Sequence, residues 1–490
     1  MRLQFFQEPE LEFGRGGTHV DVRYGLMRYG PLDVDETTAP TQLRVGLVGT
    51  EESISAVRAW FERCSRSIEA KRSKLSNLYA AFPGFSEESP FHSSLLFHDR
   101  WCSPIRQRDI DAVLAHARGN QTVHNAVGLF LDCAEGLIEQ GGPVALVCVP
   151  PSDLLAAVDG PASQHDILEQ EIDEGSELDV GSAPSLAFHD VLKAEGMRLG
   201  IPIQMVRPST YTSAGTKTRL RPRRARSLPL QDEATRAWNI HIALYYKAGG
   251  VPWRLLRNAS DLATLFVGVS FYRTVEGDRL LTSIAQVFNE RGEGVIVKGS
   301  QAQLDKDDRQ PHLSEHDAAS LLQNAIRVYR REHRTSPARL VLHKTSRMTN
   351  GELRGFQAAA EGQNIDLLEI VSVKRSLTRL FREGTYPPLR GTFLRLDEGM
   401  GLLYLRGSVQ FFETYPGMYV PRPLEFSVAR GESPVERIGH EMLSLSKLNW
   451  NNTQFDGGEP ITVRAARRVG DILKCVSDGG VVQPSFRFYI

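Results

Sequence analysis

Cysteine is sparse and scattered. The 490 residues hold five (Cys64, Cys102, Cys133, Cys148 and Cys475), with no CxxC and no paired spacing. That argues against a zinc site or a disulfide framework and fits a reducing, cytoplasmic setting. Long apolar runs are missing as well, and none approaches the roughly 20 residues that a membrane span needs. The opening MRLQFFQEPELEFG has no apolar core behind a basic start, so no signal peptide is expected. Net charge is nearly absent, at −1, so the molecule as a whole is not a basic coat for nucleic acid. The stretch GLVGTEES lacks the GxGxxG spacing of a dinucleotide site.

The charge that is present sits unevenly. Residues 165–179 (HDILEQEIDEGSELD) are acidic, residues 217–226 (KTRLRPRRAR) are basic, and Arg327 to Arg390 is rich in arginine. A neutral protein with such patches can still carry a basic channel, although either run also reads as a solvated loop. The basic run has no interleaved aromatics, so it is not a stacking platform.

Periodicity and turn residues suggest an α/β protein with two large parts. Residues 1–42 read as an extended arm with short strands, including a hairpin around Gly25 to Gly30. Residues 43–49 form an apolar strand, followed by a long helix from Ser53 to Tyr79. Val113 to Ala117 and Ala126 to Glu139 are helical, and VALVCV is a continuous apolar strand of the kind buried in parallel sheets. Ser185 to Leu199 is an amphipathic helix ended by Gly200, and Ile201 to Val206 is a strand. Ile240 to Trp253 supplies another helix. This alternation predicts a Rossmann-like layer over 43–255.

From about residue 260 the pattern changes. LATLFVGVSFYRT is a strand, with Arg279 to Phe288 and Gly294 to Lys298 as antiparallel neighbours. Helix Ser314 to Glu332, strand Ala338 to His343, helix Asn350 to Ala360 and strand Asp366 to Val373 follow. Hairpin-like strands run to about 430, then helices at Val435 to Lys447 and Ile461 to Leu473. Three strands and then a strand–helix alternation is the order of an RNase H-like fold, here over 256–490.

His189 and Lys193 are four apart and share a helix face. Gln204 opens the next strand, and Lys247 lies near the end of the Ile240 helix. Two lysines, a histidine and an amide converging there would make an anion pocket, most naturally for a phosphate. The plainer alternative is two ordinary helices with solvated lysines.

The helix with His189 and Lys193, then IPIQ, then LYYKAGGVPW, then LFVGVSF, resembles in order the MID–PIWI unit of Argonaute proteins. HVDVRYGLMRYGPLD (residues 19–33) and the length resemble the short prokaryotic members. The resemblance implies that His189, Lys193, Gln204 and Lys247 bind the 5′-phosphate of a guide. It also implies that Lys447, Arg464, Arg467 and Arg468 meet backbone phosphates. The carboxylate of Ile490 would share a Mg²⁺ with the guide phosphate, since a phosphate and a carboxylate in contact need a cation between them.

An RNase H-like nuclease holds two divalent metals about 4 Å apart with carboxylates. The positions that match the family's ligands are Ser270, Thr345 and Asn451, with Lys344 and Ser346 beside the second and Asn449 and Asn452 beside the third. None is a carboxylate. Glu290 or Glu293 remains as a candidate acid, with Asp261 or Asp278 as stand-ins if the match is shifted. The resemblance therefore implies a PIWI domain that binds without cutting: a sensor carrying a short guide RNA that recognises a complementary single-stranded DNA target. An APAZ-containing partner (sirtuin-like, TIR or nuclease) would act as the effector in antiviral or anti-plasmid defence. A guided nuclease with unconventional carboxylates and a small-molecule anion-binding protein are the alternatives.

Overall fold

The computed structural model describes residues 1–115, 119–139, 141–158, 186–212, 231–257, 261–277, 279–287, 294–305, 309–383, 387–417, 420–453, 457–477 and 479–490. The acidic run 165–179, the basic run 217–226, Asp278, Glu290 and Glu293 lie outside the described residues.

The first half is built on a parallel sheet. Gln42–Gly49 lies in its middle, flanked by Ala145–Val149 and then Ile203–Met205 on one side and by Ser94–Leu96 and Cys102–Pro104 on the other. Ala145–Val149 is buried along its whole length, as expected for a strand covered on both faces. Gly119–Glu139 and Phe188–Gly196 pack together as part of that cover.

Two expectations for this half are corrected. Residues 22–29 form a helix, Val22–Tyr29, where a hairpin was expected. Asp21 caps it by accepting from the backbone N–H of Arg23 at 2.8 Å and of Tyr24 at 3.3 Å, and Gly30 ends it at φ 73°. Gly25 is needed inside this helix because a Cβ there would lie 2.2 Å from the Phe13 ring. Likewise, the helix that starts near Ser53 spans only Glu51–Cys64. Past Cys64 the sequence SRSIEAKRSK has no apolar stripe to bury, and tertiary packing is what sustains most helices.

The second half is a nine-stranded sheet. Its core order is Gly294–Gln301, Leu280–Val287, Thr264–Arg273, Arg339–Lys344, Leu367–Arg375. Each of the first three strands is antiparallel to its neighbour, and the next two run parallel to Thr264–Arg273. This is the expected RNase H-like arrangement. Leu424–Arg430, Met400–Leu403 and Thr392–Arg395 extend it antiparallel.

Glu315–His333 and Asn350–Glu361 pack against each other. Each is capped: Ser314 accepts from Asp317 N–H, and Thr349 and Glu352 form a reciprocal capping box. The Ile461–Leu473 helix packs on Thr264–Arg273. Gly268 permits the approach, since a Cβ there would sit 2.0 Å from the Thr462 carbonyl oxygen.

The N-terminal arm joins both halves. Arg2–Phe5 pairs with Thr392–Arg395 at the edge of the nine-stranded sheet, and Leu11–Glu12 pairs with Arg254–Leu255. Asp33 accepts from Tyr245 Oη at 2.7 Å and from Val251 N–H at 2.8 Å. One hydrophobic core runs from Leu11 through the parallel sheet to the Ile461–Leu473 helix and the last residues, Tyr489 and Ile490. Among the described residues no helix is long and apolar enough to cross a membrane.

Candidate anion-binding site

The site lies where the two halves meet. Phe188–Gly196 packs against Ile461–Leu473, which brings Arg468 to His189. Arg468 Nη2 is 2.7 Å from His189 Nδ1, and Arg468 Nη1 is 3.2 Å from Asp190 Oδ1. Asp190 Oδ1 also lies 3.0 Å from His189 Nδ1. One turn further along, Lys474 and Asp471 pair at 3.5 Å. Burial lifts the Asp471 carboxyl, partly offset by Lys474. Burial pulls Lys474 down, but Asp471 and Asp190 outweigh it and hold its ammonium above the usual range. Arg468 therefore belongs with His189, a grouping that separate assignments to pocket and backbone did not anticipate.

The lysines are not solvated. Lys193 is 5% exposed and Lys247 is 1% exposed, which overturns the plainer reading of two surface lysines. Both stand in the last turn of their helices. That helix begins at Glu233, capped by Asp232, and stops at Lys247, short of the expected Trp253. Its stop coincides with Gly249 at φ 103°. Lys247 Nζ is buried and has no hydrogen-bond partner among the described residues. Burial alone brings its pKa down to about 7, because losing water penalises the charged form. On the strand Ile203–Met205, Gln204 donates from Nε2 to the Met205 carbonyl at 3.0 Å. Its Oε1 is buried without a partner among the described residues. Buried polar groups are rarely left unpaired, so a lysine Nζ and an amide oxygen in that state are open to water or to a ligand.

The C-terminal segment runs past both of these helices. Gln483 Nε2 donates to the Met197 carbonyl at 2.9 Å, just beyond the His189 helix. A Cβ on Gly249, just beyond the Lys247 helix, would lie 3.5 Å from Arg487 Nη1. Tyr489 is fully buried and donates from Oη to the Gln483 carbonyl at 2.9 Å, and Ile490 is 7% exposed. The tail is thus fixed by core packing, and its carboxylate belongs to a buried residue.

Lys447 is not placed to meet a nucleic-acid backbone. It is 4% exposed. Its Nζ donates to the Pro9 carbonyl and, at 2.7 Å, to the Val20 carbonyl, and it pairs with Glu8 at 3.3 Å. Arg467 is likewise committed, with Nη1 2.8 Å from Glu459 Oε1. Arg464 is half-buried and lies against Gly457.

In the RNase H-like sheet, Ser270 is buried, and Thr345 N–H donates to the Val269 carbonyl at 3.2 Å. These two positions are therefore neighbours across parallel strands. Asn451 is exposed, in a loop anchored by Trp450 stacked on Tyr246 at 5.0 Å. Lys344 does not stand as a free charge against a metal. It is buried in an ion pair with Glu352 at 2.8 Å and lies over the Phe271 ring. Asp261 is exposed. Among the described residues no three His, Cys, Asp or Glu side chains gather in a metal-binding group.

No protein-family model matches the chain. It is 22% identical over 274 residues to the protein argonaute of Aquifex aeolicus (strain VF5), a match covering 55% of this chain and 34% of that protein. The structure resembles that of Clostridium butyricum Argonaute bound to a guide DNA with a 5′ deoxycytidine and a 19-mer target DNA. The TM-score is 0.62 at 14% identity, over 100% of this chain and 55% of that one. The chain thus spans about a third of the first protein's length and about half of the second's. The likeness shows the fold, with a parallel-sheet half joined to an RNase H-like half.

Proposed function

We propose that this chain is a short Argonaute-type protein whose seam holds the 5′-phosphate of a short guide. The supporting observation is Lys247, whose buried Nζ has no hydrogen-bond partner among the described residues, together with buried Lys193 and the His189–Arg468 contact. An incoming phosphate would supply the charge that Lys247 lacks, and charge-assisted contacts of this kind contribute roughly 1.5–3 kcal/mol each. Gln204 Oε1 and the Ile490 carboxylate are oxygen donors of the type Mg²⁺ takes. A Mg²⁺ held by the tail carboxylate would neutralise charge between it and the phosphate.

In this reading base pairing supplies sequence specificity and the protein reads backbone shape. The guide is RNA and the target single-stranded DNA. With Ser270, Thr345 and Asn451 at the ligand positions, the chain binds without cutting. An APAZ-containing partner with a sirtuin-like, TIR or nuclease domain then supplies the effector activity in defence against invading nucleic acid.

The deciding experiment compares 5′-phosphorylated and 5′-hydroxyl guides on wild type and on Lys193→Ala with Lys247→Ala. Selective loss for the phosphorylated guide is expected, whereas equal losses would remove the pocket assignment. Metal-dependent cleavage by the purified chain would overturn the silent-PIWI reading.

A further inference from the structure

Beyond Cys64 the chain forms a closed loop. Ile68 and Phe82 pair across its base, with Ile68 N–H to the Phe82 carbonyl at 2.8 Å and Phe82 N–H to the Ile68 carbonyl at 2.9 Å. Both side chains are buried. Compact loops with joined ends frequently carry function. This one carries charge: Lys71, Arg72 and Lys74 are exposed, as is Arg66 just before the base. Glu69 is the single acidic residue among them. The Lys71 ammonium stands 5.0 Å from the centre of the Tyr79 ring, which holds it at the loop's flank.

The loop leans on the second half of the molecule. Its short turn Ser76–Leu78 meets the turn Gln410–Phe412. Asn77 Nδ2 donates to the Phe411 carbonyl at 2.9 Å, and Arg23 Nη1 donates to the Leu78 carbonyl at 3.1 Å. Three half-buried rings cluster at this contact. Phe411 stands edge-on to His19 and to Tyr24, each at 5.5 Å, and His19 stacks on Tyr24 at 5.9 Å.

Cations along a loop suit a phosphodiester backbone, and rings beside them suit unstacked bases. That pairing is how proteins hold single strands without reading sequence. A basic loop alone would suit an acidic protein segment equally well, so it is the rings that favour nucleic acid.

We infer that the Arg66–Lys74 loop and the His19, Tyr24 and Phe411 rings form a second contact surface for single-stranded nucleic acid, built from residues the phosphate pocket does not use. It rests on the nucleic-acid reading of the chain, and its test separates the two. The probe is a labelled single strand with a 5′-hydroxyl, followed by fluorescence anisotropy through a salt series, with the 5′-phosphorylated strand in parallel.

Lys71→Glu with Arg72→Glu and Lys74→Glu should lower affinity at least about tenfold at low salt, and should flatten the log–log salt slope by about 2. Phe411→Leu should lower affinity and leave that slope in place. Both variants should melt as wild type does and keep any preference for the 5′-phosphate. Unchanged affinity and slope in the triple variant would overturn the surface, including the case where that variant loses an acidic protein partner instead. An effect of the charges with none of Phe411→Leu would overturn the stacking role. A wild-type chain that shows the loop effect without preferring the 5′-phosphate would sink the pocket and leave this surface standing.

Discussion

Arg468 and His189 are 279 positions apart and lie 2.7 Å from each other. The second half of the chain therefore positions the histidine of the first. Asp190 takes another nitrogen of the same guanidinium, so an anion entering here competes with a carboxylate for Arg468. Arg468→Ala should reduce the affinity for a 5′-phosphorylated guide by about 1.5–3 kcal/mol. Asp190→Asn keeps the shape and removes the competing charge, so it should strengthen the same binding. Titrating both variants against phosphorylated and hydroxyl guides checks the pair. Parallel losses in the two variants would mean that Asp190 only supports the fold.

Lys247 makes a prediction about protons. Burial holds its pKa at about 7, against an ordinary 10.5. Between those values the unfolded chain carries the proton and the folded chain does not, so stability rises with pH across that window. The penalty is fully present below about pH 7. Lys247→Met should therefore stabilise the guide-free protein below pH 7 and flatten the rise above it, as measured by denaturant unfolding. A bound phosphate restores the charge, so binding should take up a proton near pH 8. Calorimetry in two buffers of different ionisation heat should show that uptake for wild type and not for Lys247→Met.

Much of this architecture is legible in the sequence because it rests on local signals. VALVCV announces a buried parallel strand, and Ile461 to Leu473 begins and ends where its apolar stripe does. The errors arise where tertiary contacts decide. Asp21 and Gly30 are a cap and a stop, yet two glycines in RYGLMRYG suggest a turn until Phe13 is seen pressing on Gly25. The Ser53 reading runs on because SRSIEAKRSK contains good helix formers, while Ile68 is drawn away to Phe82. In the site, the spacing of His189 and Lys193 is readable. That Arg468 joins them and that Lys447 is committed to Glu8 depend on contacts hundreds of residues away in sequence, which no spacing rule reaches.

Lys447 shows how such a contact reverses an expectation. Read as a backbone contact, its loss would weaken nucleic-acid binding. In the fold it ties the N-terminal arm to the second half through Glu8 and the carbonyls of Pro9 and Val20. Burial and the Arg390 charge work against its ammonium and Glu8 works for it, with the net result near 8. Lys447→Met should cost about 1–3 kcal/mol of stability, because, unlike Lys247→Met, it would leave Glu8 and the carbonyls of Pro9 and Val20 without this donor. The affinity of the folded protein for nucleic acid should not change. Chemical denaturation and a binding titration, run on the same preparation, separate the two effects. A binding loss at unchanged stability would return Lys447 to the interface.

The tail needs a probe that spares the core. Tyr489 is 0% and Ile490 7% exposed, so deleting both removes packed side chains along with the carboxylate. Such a deletion should lower the melting temperature whatever the carboxylate does. Adding one glycine after Ile490 keeps the packing and moves the charged group by about 3.8 Å, the step from one Cα to the next. If the carboxylate shares a Mg²⁺ with the guide phosphate, the extended chain should melt like wild type. Its binding to the phosphorylated guide should lose the dependence on Mg²⁺, because a small cation demands near-ideal octahedral geometry and does not follow a ligand that has moved that far. Retained Mg²⁺ dependence in the extended chain would show that the ion, if it binds, is held by other oxygens and that the tail serves the core alone.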